Sequence, residues 1–430
     1  MTHRIPALYG AAAVLVAAAA AAQPVRVSSA DGLRRALRSA RAGTVVQLAP
    51  GEYRGYFGAS NLRGTDKRPI VVEAADPARP PVLRGAAECL HLTDVCHLVL
   101  RKLVLTGART NGLNIDDGGT YDSPSHHVVL DGLTVRDIGP SGNRDGIKLS
   151  GVDDMLVRGC TVERWGSGGS AIDMVGCHRV AIVDCELRQA RDRGGSGIQA
   201  KGGSRDVLVY RCRFDHAGQR AVNMGGSTGA PYCRPKSPGH EARKIAVVGN
   251  VFAGAAAPVA CVGLDEGLVS HNTIYRPTRW VLRILQESVG EGFVPCRKGI
   301  FRRNLVIWRH RELRTTVNVG PNTEPKSFRF EGNWWYCEDA PARSRPSLPV
   351  AERGGVVGKD PGLKALGLDA TATAAPDHGA HAKAAAETAA RIGPKLAPWA
   401  YDQADALGGK AATGKRDLDR ALDALDGLLP

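Results

Sequence analysis

The sequence predicts an all-β chain wound as a right-handed parallel β-helix, and three observations predict it. A short phrase recurs five times, as "NGLNID" at 111–116, "DGIKLS" at 145–150, "SAIDMV" at 170–175, "SGIQAK" at 196–201 and "RAVNMG" at 220–225. Successive copies start 34, 25, 26 and 24 residues apart, which is the period of a solenoid. A companion phrase keeps step with it, in "MLVRGCTVERWG", "VAIVDCELRQAR", "VLVYRCRFDHAG", "IAVVGNVFAGA", "GLVSHNTIYRP", "GIFRRNLVIWR" and "SFRFEGNWWYC". Each unit reads as strand, turn, strand, turn with no helical period, so the repeat is a β-coil and not a helical pair.

The elements follow in order. Residues 1–22 carry His3 and Arg4, then an alanine-rich apolar run and small residues before Gln23, the pattern of a secretory signal. A secreted or periplasmic mature protein is therefore expected. The run is too short and too weakly apolar for a membrane anchor, and no later segment has ~20 continuous apolar residues, so no stable membrane span is expected. Residues 23–43 form an N-terminal cap, in which Ser28 or Ser29 starts a short helix with Leu33 and Leu37 on one face. A solenoid needs such a plug at its open end. The β-helix is expected over 44–340. From 341 to 430 alanine, glycine, proline and lysine dominate, which reads as a tail with one amphipathic turn at "RDLDRALDALDGLL".

Composition supports this outline. The 430 residues exceed what one layered core holds, a limit that a solenoid escapes by adding coils. Fifty-two glycines and 5% aromatics suit narrow coils with sharp turns. The net charge of +14 suits an acidic partner. The basic residues are scattered and no nucleic-acid motif is present, so an acidic polysaccharide is the expected partner, bound by a monomer, and nucleic acid is not.

Of the ten cysteines, Cys160, Cys185 and Cys212 share one place in the companion phrase with Asn250, Asn272, Asn304 and Asn333. Stacked small inward residues account for them. Cys233, Cys296 and Cys337 lie outside that rail and are the disulfide candidates of an exported protein. No His/Cys cluster has metal spacing, so no metal ligands are assigned.

Period two sends Leu113 and Ile115, and their counterparts in later copies, inward. The outward row is then Asn114, Lys148, Asp173, Gln199 and Asn223. A second outward row holds Asp116, Ser150, Val175, Lys201 and Gly225, and a turn row holds Asn111, Asp145, Ser170, Ser196 and Arg220. Coils about 4.8 Å apart make each row a polar ladder whose step matches a sugar residue. Two excursions, at 117–126 and 227–240, leave directly after these strands and would frame a binding face.

The opening "VSSADGLRRALRSARAGTVVQLAPGEYRG" with "RGTDKRPIVVEAADPARPPVLRG", and the stretch "SGIQAKGGSRDVLVYRCRFDHAGQRAVNMGGSTG", resemble the alginate lyase and chondroitinase B family of polysaccharide lyases. The resemblance spans roughly residues 25–260. It implies cleavage of a uronate polymer by β-elimination, with Lys201 at the family's catalytic lysine. The family's arginine position is Gly225 here, with Arg220 in the turn before it. Calcium is the cofactor that the resemblance implies, and Ser196 stands where the family's calcium-binding carboxylate falls.

The chemistry needs such groups. Neutralising a uronate's carboxylate acidifies its C5 hydrogen, and a positioned base then removes it. Lys201 would be the base and Arg220 the neutraliser, with Gln199 and Asn223 as amide donors. Asn114, Asp145, Lys148 and Asp173 would line further subsites; Lys148, beside Arg144, is the alternative base. Two other readings stay open. An inverting hydrolase needs two carboxylates about 6.5–9.5 Å apart, which Asp116, Asp117, Asp145 and Asp173 could supply. A non-catalytic polysaccharide-binding or surface protein needs only the fold and the polar face.

Overall fold

The computed structural model describes residues 23–406 apart from 192–193, 291, 314, 365–372 and 397. The candidate signal at 1–22 and the turn in "RDLDRALDALDGLL" lie outside the described residues. Three long sheets run the length of the solenoid. Sheet 1 has 12 strands, from Val25–Val27 to Arg329–Glu331. Sheet 2 has 10, from Phe57–Ser60 to Val317–Val319. Sheet 3 has 12, from Glu52–Arg54 to Val356–Val357. Each coil visits sheet 1, sheet 3 and sheet 2 in turn, and every strand pairs in parallel with its counterpart one coil away.

The turn from sheet 1 to sheet 3 explains the rail. A residue with left-handed backbone comes first: Gly159 at φ 58°, Asp184 at 54°, Arg211 at 51°, Gly249 at 63°, His271 at 55° and Arg303 at 52°. The next residue points inward, and it is Cys160, Cys185, Cys212, Asn250, Asn272 or Asn304, all buried. The amides form one continuous ladder. Asn250 Nδ2 donates to Val209 O and to Asn272 Oδ1, both at 3.0 Å. Asn272 Nδ2 donates to Val247 O at 2.9 Å and Asn304 Oδ1 at 3.0 Å, and Asn304 repeats the pattern on Val269 O and Asn333 Oδ1. Glu352 ends the ladder by accepting from Asn333 Nδ2 at 2.7 Å. The cysteines copy the first half of this pattern, since Cys185 Sγ donates to Val157 O at 3.7 Å and Cys212 Sγ to Ile182 O at 3.6 Å.

All ten cysteines are free and buried, including Cys233, Cys296 and Cys337. The expectation of disulfides among those three is therefore corrected. Each sits in a different part of the winding with its own acceptor: Gly229 O for Cys233, Cys261 O for Cys296, and Asp339 Oδ1 for Cys337.

Helix α1 (Ala30–Ser39) starts at Ser29, whose side chain accepts from Gly32 N at 3.1 Å, and buries Leu33, Ala36 and Leu37 against the first coil. Strand Val25–Val27 precedes it and already pairs in sheet 1. Residues beyond 340 add strand Val356–Val357 to sheet 3. They also form helices α2 (Lys383–Leu396) and α3 (Pro398–Ala406), which pack on sheet 1. The reason lies in sheet 1, whose outward positions are apolar: Val71, Val99, Val129, Leu156, Ala181, Leu208 and Ala246 stack in register. Ala385, Ala389, Trp399 and Ala400 cover them. Strands buried on both faces read as unbroken apolar runs.

Two outcomes follow from the rail. Asn304→Ala should lower stability by about 2–4 kcal/mol, because it strands buried partners on both neighbouring coils, whereas Cys185→Ala should cost less because a thiol is a weak donor. Urea denaturation measures both. Burial holds the thiols of Cys160 and Cys185 well above their ordinary range, so neither should react with iodoacetamide at pH 8 until the chain is unfolded.

Candidate functional site

The register of sheet 2 places its outward rows side by side. Asn114 pairs with Lys148, Lys148 with Asp173, Asp173 with Gln199, and Gln199 with Asn223. A cleft of about 800 Å³ lies over this sheet. The two excursions wall it. Tyr121 of the first donates its hydroxyl to Pro231 O of the second, and Tyr232 is largely exposed beside them. The second excursion is anchored from below. Arg234 is buried against Asp153, donates to Gly176 O at 2.7 Å and approaches His178 Nδ1 at 2.8 Å. Glu241 accepts from Gly202 N, Thr228 N and Thr228 Oγ1, each at 2.8 Å, tying the end of the Lys201 strand to that loop.

Lys148, Lys201 and Asn114 line the cleft. The ammonium groups of the two lysines meet on one carboxylate. Lys148 Nζ contacts Asp173 Oδ2, and Lys201 Nζ lies 3.4 Å from Asp173 Oδ1. Asp145 Oδ2 is 3.8 Å from Lys148 Nζ, while its Oδ1 accepts from Ser170 N at 2.7 Å. Asp145 and Asp173 are 2% and 1% exposed, so the carboxylates lie beneath and the ammoniums face the solvent side. Burial, then the charge of Asp173, pushes Asp145 up to about 6. Burial alone would lower Lys148, but Asp173 and Asp145 outweigh it and hold the ammonium above its ordinary range.

The other candidates stand apart. Gln199 Oε1 accepts from Ser170 Oγ at 3.4 Å, and Asn223 is buried. The chain leaving Gly225 lies against Gln199: a Cβ on Gly226 would fall 2.6 Å from Gln199 Nε2. Gly225 itself has φ +115°, and a Cβ there would fall 1.8 Å from Val262 O, so no side chain fits at this place. Arg220 is on the turn row outside the cleft, where Glu287 takes its guanidinium. Calcium does not fit either. Asp173 is already met by two ammoniums, Ser196 is buried, and among the described residues no group of three or more His, Cys, Asp or Glu side chains could hold a metal ion.

The structure adds a cluster at the other end of the cleft. His91 occupies the outward row one coil before Asn114. Its Nε2 lies 2.6 Å from Asp116 Oδ2 and its Nδ1 3.0 Å from Glu88 Oε2. Asn111 and Asn114 donate to Glu88 Oε1 at 2.9 and 3.3 Å. Hydrogen bonds from the His91 ring to the carboxylates of Asp116 and Glu88 raise His91 to about 10, so it is an imidazolium at neutral pH. Asp117 turns into its own loop, accepting from Gly119 N and Tyr121 N. The strand Leu90–Thr93 is the earlier copy of the repeat that would have found His91, since "LHLT" carries the same alternation.

A family model described as a right-handed beta helix region matches residues 111–276, and the chain is a right-handed parallel β-helix. No curated protein matches its sequence. Among solved structures it is similar to an alginate lyase from Paenibacillus sp. str. FPU-7, at 19% identity over 70% of this chain and 96% of that one, with a TM-score of 0.43. It is similar also to pectate lyase Pel9A, at 15% identity over 80% of this chain and 89% of that one (TM-score 0.48). The A-module of the Azotobacter vinelandii mannuronan C-5 epimerase AlgE4 is 10% identical over 77% of this chain and 95% of that module (TM-score 0.47).

His91 also links the site to pH. Its pKa is raised in the folded state, so its contribution to stability is complete below the unfolded value of about 6.5 and declines as pH rises toward about 10. His91→Gln should therefore destabilise the protein at pH 6 and do so far less at pH 10, as denaturation midpoints at the two pH values would report.

Proposed function

We propose that the chain is an exported polysaccharide lyase acting on a uronate polymer by β-elimination. One observation carries this reading: two lysines from alternate coils project into a walled cleft with their compensating carboxylates buried beneath them. A uronate carboxylate laid on the floor meets ammonium groups first. Lys148, held protonated, is the neutraliser. It takes the role expected of Arg220, whose guanidinium is engaged by Glu287.

Lys201 is the base that removes the C5 proton. The electron pair forms the C4–C5 double bond, the C4–O bond breaks, and the departing oxygen takes a proton from the lysine or from water. Neutralising the carboxylate stabilises the charge that develops only in the transition state, so Lys148 acts on rate as well as on binding. Asn114 and the His91–Asp116–Glu88 cluster bind the neighbouring sugar. The apolar N-terminal run supports export, where such a polymer would be met.

A hydrolytic reading has one observation in its favour: Asp116 lines the cleft with its pKa lowered despite burial, chiefly by the hydrogen bond from His91. The product distinguishes the two. Incubation with polygalacturonate, polymannuronate and polyguluronate should give ultraviolet-absorbing unsaturated ends. Lys201→Ala should reduce the rate of their formation by at least about 10²-fold without loss of folding, and Lys148→Ala should lower kcat and raise KM together. Reducing ends without ultraviolet absorbance, lost in Asp116→Asn and kept in Lys201→Ala, would replace elimination by hydrolysis. Binding without any cleavage would leave a polysaccharide-binding protein.

A further inference from the structure

Further along sheet 2, at the turns that lead into it, a second pocket of about 220 Å³ opens. Arg191 and His216 come from earlier turns, while Arg279, Trp280 and Arg283 belong to the coil of strand Leu282–Leu285. That strand is three coils beyond the Lys201 strand. We propose that this pocket is a distal subsite that takes a sugar carboxylate of the same polymer between its arginines; the identity of the ligand rests on the uronate reading above.

The lining of the pocket supplies no carboxylate for its arginines, and Glu287, which acts on Arg283 from outside the lining, is taken by Arg220. No aspartate or glutamate lines it, and among the described residues no carboxylate ion-pairs with Arg191, Arg279 or Arg283. Arginines elsewhere on the coils are matched, as Arg164 is by Asp137 and Arg179 by Asp154, both at 2.6 Å. Burial, and then the positive charges of Arg220 and Arg279, lower the pKa of Arg283, although Glu287, the partner of Arg220, opposes them. An anion entering between these groups relieves that repulsion.

The pocket is also ordered in advance. The guanidinium carbons of Arg279 and Arg283 each lie 4.2 Å from the centre of the Trp280 ring, a cation–π arrangement that fixes both side chains. Arg283 Nε donates to Asn318 Oδ1 at 3.0 Å, which leaves the two Nη groups of the fork for a carboxylate. Ordering two long side chains before binding removes part of the entropy cost of capture.

Position ties the pocket to the cleft. Arg283 continues the outward row of Lys148, Asp173, Gln199 and Asn223, separated from Asn223 only by Ala260. Three coils span about 14 Å, or about three sugar residues. Asn223 and Ala260 are buried, so a chain with one uronate on Lys148 and Lys201 would pass outside them along the solenoid axis and bring a later one to Arg283.

The test uses the full-length Lys201→Ala protein, which should bind without cleaving, titrated calorimetrically with galacturonate and mannuronate oligomers of about three and about eight residues. Adding Arg279→Ala should weaken the eight-residue oligomer by about tenfold, and the loss should be confined to long chains. The long oligomer should also change the tryptophan fluorescence, and Trp280→Phe should remove that change. Equal affinity for long oligomers with and without Arg279 would overturn the subsite. If wild type cleaves and Lys148→Ala impairs it while Arg279→Ala changes no affinity, the elimination reading stands and the subsite falls. If Arg279→Ala weakens long oligomers but no unsaturated product ever forms, the subsite stands and elimination falls. Failure of every oligomer to bind would remove both.

Discussion

The inward rail at the turn between sheets 1 and 3 fixes the register of the whole solenoid. Each asparagine bridges three successive coils, donating to a backbone carbonyl one coil behind and to the amide oxygen one coil ahead. That oxygen in turn accepts from the backbone N–H of the earlier asparagine, as Asn272 Oδ1 does from Asn250 N at 3.0 Å. A one-residue slip would leave buried amides unpaired on the four asparagine coils and turn each side chain of the strand to the opposite face. The cysteine section joins the same chain of bonds through Cys212 N, which donates to Asn250 Oδ1 at 2.9 Å. Because the rail sets the register, it also sets which outward residues of sheet 2 lie next to one another.

The cleft depends on that register for its electrostatics. Lys148, Asp173 and Lys201 are far apart in sequence and adjacent only because their coils stack. Burying Asp173 and Asp145 under the lysines costs desolvation, which the two ammoniums and the Ser170 N–H offset. The result is a floor whose accessible charge is positive although its total is balanced. At the other end, His91 is held as a cation between two carboxylates. The cleft is thus graded along its length, as a track for a chain with regularly spaced carboxylates and hydroxyls would be.

The outer faces of sheets 1 and 2 have opposite fates. Sheet 1 presents stacked aliphatic side chains, and α2 and α3 return from the far end of the chain to cover them. Sheet 2 presents amides, lysines and carboxylates to the cleft, and the two excursions wall it. Glu241 and Arg234 hold the second excursion in place from beneath, so the wall of the cleft is braced by buried charge and not by apolar packing.

The alternation of apolar residues and the spacing of the repeats determined the β-helix, the inward rail, the capping helix and the face on which Lys148, Lys201 and Asn114 stand. These follow from local rules, since period two assigns a face and a constant turn assigns a stacking partner. Tertiary structure alone decided the rest. Arg220 and Glu287 pair across 67 positions, Lys201 and Asp173 share a charge across coils, and Gly225 is closed to side chains by Val262 O. Such contacts depend on where turns and excursions bring distant backbone, and no periodicity encodes them. The helices over sheet 1 were hidden for the same reason: their alanine-rich sequence carries little pattern until the aliphatic face they cover is in place.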